Sequence, residues 1–268
     1  MPQIRYFDSF PTIQYDMYKD KKTREVVDIL RRVRIREDYK NLVQTYSSGE
    51  LTEGERPDIT ATKLYGRPEL HYILMLMNNV IDPYHDWVKD DKTLENHVRL
   101  KYPDRSLLFT DASRDTGEIF LVNEIITGAP SGATGTVVKF DISLLQLTYK
   151  LTSSSNFADG DIITGGTSTD TEPVVSGTPT YEWDGVHHYE MQQEQAGGIT
   201  NRYRVDNSVT TMKLVDDLSD NAVTLYNLTT VTNFDYEVAS NEEKRKVTYL
   251  NEDFVTQFES EFKEKIQR

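Results

Sequence analysis

The sequence predicts an α+β fold: a strand–helix–helix core with an N-terminal arm, an inserted all-β module and a helical C-terminal end. Three observations predict it. Residues 55–83 read as two short helices with their own start and stop signals. Residues 104–182 are rich in Gly, Ser and Thr and repeat internally, and residues 251–268 carry Phe at every fourth position.

Composition bounds the answer. At 268 residues the chain has room for one to two domains, and 37% apolar residues give it a modest, divided core. Ten per cent aromatic content argues against wholesale disorder. The chain has no Cys, which excludes a disulfide scaffold, a thiolate zinc site and a cysteine nucleophile. Met1 to Phe10 lacks the basic head and apolar run of a secretory leader, and the apolar run Tyr72 to Met77 is far too short to span a bilayer. No membrane partner is expected.

The arm comes first. Tyr6-Phe7-Asp8-Ser9-Phe10-Pro11 repeats at neither 3.6 nor 2 and reads as an extended segment that finds its contacts elsewhere. Val26, Ile29, Leu30 and Val33 then fall at helical spacing, predicting a short amphipathic helix over 25–35. Residues 1–39 form this arm and helix. Tyr39 to Tyr46 is suited to a strand, ended by Ser47-Ser48-Gly49.

The core is predicted over residues 40–103. Pro57 starts a helix at the one turn where its missing N–H costs nothing, and Gly66 closes it in a left-handed conformation. Pro68 starts a second helix through Leu70, Ile73, Leu74 and Met77, stopped by Asn78-Asn79. Asp82-Pro83 makes a turn before Tyr84-His-Asp-Trp87, and a polar helical stretch runs from Lys92 to Tyr102.

The β-module spans 104–182. Phe120 to Gly128 matches Phe157 to Gly165 at a constant offset, with Ser131, Thr134 and Val137-Val138 matching Ser168, Thr171 and Val174-Val175. Ile-Ile-Thr-Gly is a strand ending in a turn, so the unit reads as a β-hairpin copied once, with Leu144 to Leu151 as a strand between copies. Two copies are too few for a solenoid. Residues 183–235 follow as a mixed region: a strand at Val186 to Glu190, a polar loop from Gln192 to Asn201, and alternating residues over 209–232. In the last segment, 236–268, Asn251 N-caps a helix whose Glu252 and Asp253 suit the positive end of its dipole. Phe254, Phe258, Phe262 and Ile266 line one face of it and must be buried, in this domain or in a partner.

Charge narrows the partners. Residues 19–40 carry nine basic and five acidic side chains, whereas 104–184 carry four basic and twelve acidic ones. A short basic stretch followed by acid is not the broad basic face of a nucleic-acid reader, so no nucleic-acid partner is expected.

Tyr65-Gly66 and Asn78-Asn79, two helices with a turn through Pro, resemble a LysM module. More specifically, Leu64-Tyr-Gly-x-Pro-x-Leu-x-Tyr-Ile-Leu-Met-Leu-Met-Asn-Asn79 and Asp82-Pro-Tyr-His-Asp-Trp87 resemble the LysM-like baseplate wedge proteins of T-even-type contractile-tailed phages. Tyr6-Phe7, Val27 to Arg32, and Glu242 to Leu250 with the Phe-striped helix resemble the same family's two ends. The resemblance implies a βααβ core; the strand that 40–103 lacks is expected from Val186 to Tyr189, within 186–205. It also implies a structural virion protein of the tail baseplate, assembled in the host cytoplasm. Its expected partners are other baseplate wedge proteins and neighbouring wedges, and its role is to join adjacent wedges. Candidate interface residues are Phe7, Phe10, Tyr65, Tyr84, Trp87, Phe254, Phe258, Phe262 and Ile266. The alternative is a LysM-type peptidoglycan-binding module associated with a tail lysin.

Catalytic constellations are wanting. His187-His188 are adjacent on a predicted strand, so their side chains should point to opposite faces, against paired metal ligation. His85-Asp86 reads as a packed turn and His71 as a helix-face residue. Asp159-Gly160-Asp161 lacks the further acids of an EF-hand and reads as a hairpin turn. No Gly-x-Ser-x-Gly, P-loop or His-Glu-x-x-His pattern occurs. No catalytic residue, metal ligand or cofactor is expected.

Overall fold

The computed structural model describes residues 6–31, 33, 45–109, 120–167, 174–195, 199–205 and 228–267. The secondary structure is mixed helix and strand, an α+β chain. It divides into two compact units: residues 1–94 with 240–268, and residues 95–239.

The first unit is built on two antiparallel strands and two helices. Strand β3 (Tyr46–Glu50) pairs with β13 (Lys246–Leu250), Gly49 opposite Val247 and Tyr46 opposite Leu250. Ser47-Ser48-Gly49 therefore lies inside the strand rather than ending it. The reason is steric: a Cβ on Gly49 would meet the Tyr249 ring at 3.1 Å, so the small residues make room for that ring. The rest of the strand expected over 39–46 falls mostly outside the described residues.

Helix α1 (Pro57–Tyr65) starts on Pro57 and ends at Gly66, whose φ of 66° lets its N–H reach the Thr62 carbonyl. A turn of 3-10 helix over Pro68–Leu70 leads into α2 (His71–Met77). Leu70, Ile73, Leu74 and Met77 are buried against Ala61, Tyr65, Val247, Leu250 and Val255.

The strand that closes this core is β13, not Val186 to Tyr189. Asn78 explains the choice. Its amide Nδ2 donates to the Leu74 and Thr248 carbonyls at 2.8 and 2.9 Å, and its Oδ1 accepts the Thr248 N–H at 2.8 Å. The residue that stops α2 thus holds the backbone of β13 as well. Asn79 follows with φ 54°, a left-handed conformation that Asn tolerates.

The N-terminal region departs from expectation. Instead of a helix over 25–35, residues Arg24–Val27 form β2, paired antiparallel with β1 (Thr12–Tyr15), Val26 opposite Ile13. Local turn chemistry decides it. The Asp16 carboxylate accepts the N–H groups of Asp20 and Lys21, and Asp20 pairs with Arg24 at 2.9 Å. These bonds fold the chain back so that β-branched Val26 and Val27 enter a strand. Residues 34–40 lie outside the described residues.

The second unit holds a six-stranded antiparallel sheet in the order β8-β5-β6-β7-β4-β9. Its strands are β4 (Arg105–Phe109), β5 (Ile125–Ala129), β6 (Thr134–Asp141), β7 (Gln146–Leu151), β8 (Ile162–Gly165) and β9 (Val175–Tyr181). Leu107, Ile126, Val137, Leu147, Tyr149, Phe157 and Ile163 form its core. The sequence repeat appears in space as neighbours: β5 and β8 run side by side with Thr127 opposite Thr164. The first copy pairs its two strands along their length, β5 with β6. Among the described residues the matching strand of the second copy, β9, pairs with β4 and meets the segment leading into β8 at the bridge Ile162–Val174 and through two backbone bonds, Gly160 N–H to the Val175 carbonyl and Val175 N–H to the Asp161 carbonyl.

A second sheet orders β11 (Ile199–Val205), β10 (Val186–Gln195) and β12 (Leu228–Thr232). The polar loop expected from Gln192 is therefore strand up to Gln195 and again from Ile199. Residues 206–227, within the alternating stretch, lie outside the described residues. A helix the sequence reading missed, Asn233–Glu243, begins with a reciprocal cap. Asp235 accepts the Thr232 N–H at 3.1 Å, and Thr232 Oγ1 accepts the Asp235 N–H at 3.1 Å.

Candidate interaction surfaces

The terminal helix Glu252–Gln267 forms as expected. Its Phe stripe is not a free surface. Phe262 (5% exposed) and Ile266 (1%) pack with Phe10 (7%) in one cluster completed by Tyr6, Tyr72 and Phe258. Ring centroids stand 4.9 Å apart for Tyr6 and Phe10, 5.1 Å for Tyr6 and Tyr72, and 5.2 Å for Tyr72 and Phe262. Arg31 donates to the Ile266 carbonyl at 2.9 Å, tying the helix end to the arm. Burial pushes the Tyr72 phenol well above its ordinary pKa.

The other candidates divide the same way. Phe254 and Phe258 are partly buried against the α1–α2 core. Tyr65 is buried there with its hydroxyl accepting the Leu250 N–H at 3.2 Å, and burial raises its pKa to about 12. Trp87 is buried with Nε1 donating to the Glu55 carbonyl at 2.6 Å. Only Phe7 (48%) and Tyr84 (85%) stay open to solvent among the nine.

The structure instead exposes apolar groups along the β1–β2 hairpin and the turn after it. Ile13, Tyr15, Tyr18, Ile29 and Leu30 are all exposed, Leu30 at 87%. A two-stranded ribbon with no covered face is marginal in water by itself. Arg24 over the Tyr18 ring, at 4.8 Å, and the Asp16 and Asp20 turn bonds hold its tip. The period-2 pattern Ile13–Tyr15 was the available signal; the helical spacing of Val26, Ile29 and Leu30 masked it.

The chemical candidates have structural explanations. Asp82 Oδ1 caps the short helix α3 (Pro83–Asp86) by accepting the Tyr84 N–H, and Asp82 Oδ2 meets His85 Nδ1 at 2.6 Å. The His85 contact holds the Asp82 carboxyl below its usual pKa. His71 Nδ1 contacts the Pro68 carbonyl at 2.9 Å. Asp159 and Asp161 serve turns: Asp159 accepts the Gly177 N–H, and fully buried Asp161 accepts those of Ala158 and Ser131.

His187 and His188 do not point apart. The pairing of β10 with β12 slips between Val186 and His188, a β-bulge, and the two Nδ1 atoms stand 2.8 Å apart. A bulge turns two successive side chains to one side. Among the described residues no group of three or more His, Asp or Glu is placed to hold a metal, and no helix is long and apolar enough to cross a membrane.

Residues 4–104 match the model of a protein family described as base plate wedge protein 53. The match supports a phage baseplate wedge protein with a structural role. It covers the arm, the exposed hairpin, α1, α2 and Tyr84, and leaves most of the second unit unmatched. No curated protein matches the chain.

Proposed function

We propose that this chain is a non-enzymatic subunit of a contractile-tail baseplate wedge, of the T-even type, that binds other wedge proteins and joins adjacent wedges. The observation that carries the reading is a coincidence of position. The wedge-family match over residues 4–104 contains the hairpin that exposes Ile13, Tyr15, Ile29 and Leu30, together with exposed Tyr84. Side chains that cost free energy in water, on a ribbon too small to stand alone, fit a surface covered on assembly. The core that presents them is LysM-like: the order β3, α1, α2, β13 and the stops at Gly66 and Asn78-Asn79 support that finer assignment.

Cross-linking mass spectrometry of assembled wedges tests it. Lys19, Lys21 and Lys22, in the turn of the hairpin, should link to other wedge subunits. A chain that links to none of them, or wedges that close into baseplates without it, would overturn the proposal. A pull-down on purified peptidoglycan tests the glycan-binding alternative, which saturable binding would favour.

A further inference from the structure

On the reading of this chain as a wedge subunit, we propose that the outer edge of β1 receives an added strand from another wedge subunit, an extended segment carrying Asp or Glu at the end that lies by the turn from Lys19 to Lys22. The backbone carries the first half of the argument. Asp28 N–H donates to the Pro11 carbonyl at 2.8 Å, which sets the alternation of the antiparallel ladder. Ile13 and Tyr15 therefore bond to Val26 and Arg24, whereas Thr12 and Gln14 turn their N–H and C=O groups away from β2. Among the described residues these four backbone groups meet no partner. An edge of this kind is a template for strand addition. The edge of β2 is less open, because the Val27 carbonyl already accepts the Ile29 N–H at 3.0 Å.

Charge and size say what fills that edge. The turn from Asp16 to Arg24 holds four basic side chains (Lys19, Lys21, Lys22, Arg24) and two acidic ones (Asp16, Asp20). Both acids are engaged: Asp16 accepts the Asp20 and Lys21 N–H groups, and Asp20 pairs with Arg24. Lys19, Lys21 and Lys22 have no ion partner among the described residues. Their excess positive charge selects a segment with carboxylates at that end and rejects a basic one. Ile13, Tyr15 and Val26 share one face of the ribbon, so an apolar residue of the added strand packs beside Ile13. Two strands alone are marginal in water, and a third with a covered apolar face lifts the ribbon past that limit.

The test measures binding of the full chain to purified wedges assembled without it, by biolayer interferometry at about 50 and about 500 mM NaCl. Gln14→Pro deletes an outward N–H without touching a bond to β2, and should weaken binding at least about tenfold at both salt concentrations. Gln14→Ala keeps that N–H and should bind within about twofold of wild type. Lys19→Glu with Lys21→Glu and Lys22→Glu should weaken binding at least about tenfold at low salt and abolish the loss of affinity that salt causes in wild type. Circular dichroism of each free variant checks its fold. Hydrogen exchange of the wild type is a second readout: the Thr12 and Gln14 amides should slow at least about tenfold on binding, and unchanged exchange overturns the proposal even where Gln14→Pro does not fold. A folded Gln14→Pro, or the lysine variant, binding as wild type does would overturn the added strand and leave the wedge reading intact. A wild-type chain that binds no wedge would overturn both.

Discussion

Glu124 and Asp161 occupy equivalent positions in the two copies of the internal repeat, and each carboxylate reaches into the other copy. Glu124 Oε2 accepts the Leu121 N–H in its own turn while Oε1 accepts the Thr167 N–H. Asp161 Oδ2 accepts the Ala158 N–H of its own turn while Oδ1 accepts the Ser131 N–H. Both are buried, at 6% and 0%. Hydrogen bonds to a charged group contribute about 1.5–3 kcal/mol, so Glu124→Ala and Asp161→Ala should each destabilise the second unit by about that much. The double variant should depart from additivity, because the two copies share the β5–β8 seam. Urea unfolding of the three variants checks this.

Phe262→Ala should destabilise the first unit by about 3–5 kcal/mol, the usual cost of emptying a packed Phe site. Tyr84→Ala, on a side chain 85% exposed, should stay within about 0.5 kcal/mol of wild type. Thermal melts of the isolated chain distinguish the two. A silent Phe262→Ala would return the stripe to the surface.

Ile13→Asp with Leu30→Asp places charge on exposed positions. Stability of the isolated chain should change by less than about 0.5 kcal/mol for each substitution. Incorporation into wedges, measured by co-purification, should fall sharply if the hairpin is covered on assembly. Full incorporation would remove the hairpin as an interface.

Tyr149 and Tyr65 are both buried phenols held up to about 12, yet they should respond oppositely to loss of the hydroxyl. The Tyr149 hydroxyl has no hydrogen-bond partner among the described residues, whereas that of Tyr65 accepts the Leu250 N–H. Tyr149→Phe should be neutral or stabilising by up to about 1 kcal/mol, and Tyr65→Phe should cost about 1 kcal/mol or more. Denaturant midpoints of both variants decide it.

The Lys101–Glu237 pair, 2.6 Å long, sets a pH dependence. Burial raises the Glu237 carboxyl, but the Lys101 ammonium and the Tyr102 hydroxyl outweigh it, and the net shift is below the ordinary 4.5. A lowered carboxyl contributes stability that is complete above pH 4.5 and lost as pH falls through the folded value. The hydrogen bond to Glu237 raises Lys101 above 10.5, so its share is present below that pH and fades above it. Glu237→Gln should therefore flatten the stability profile at both ends. An unchanged profile would show the pair to be inert.

Signals confined to a few neighbouring residues were legible in the sequence. Pro57, Gly66 and Asn78-Asn79 bounded their helices because each acts through its own backbone. The β-module was legible from its turns and its repeat. Long-range choices were not. Nothing near Tyr46 states that its partner is Leu250, and Val186 to Tyr189 is an equally good strand. Val26, Ile29 and Leu30 fit helix and hairpin alike until the Asp16 turn bonds are seen. The reciprocal cap of Thr232 and Asp235 was readable in principle, since that spacing is a helix-start signature. The histidine pair was not, because a bulge depends on how β10 meets β12. The burial of Phe262 and Ile266 within the chain was not legible for a related reason: a Phe stripe says that burial is needed, but not by what.

The pairing of β3 with β13 also fixes an order of events during synthesis. A ribosome delivers Tyr46–Met77 before Lys246–Leu250, with all of residues 95–239 translated in between. The later-made segment is contiguous and can collapse while still tethered, whereas the earlier-made half waits with Leu74 and Met77 bare. The first unit therefore closes only after the second has been made, and a nascent chain arrested short of Lys246 is the species that most needs a chaperone.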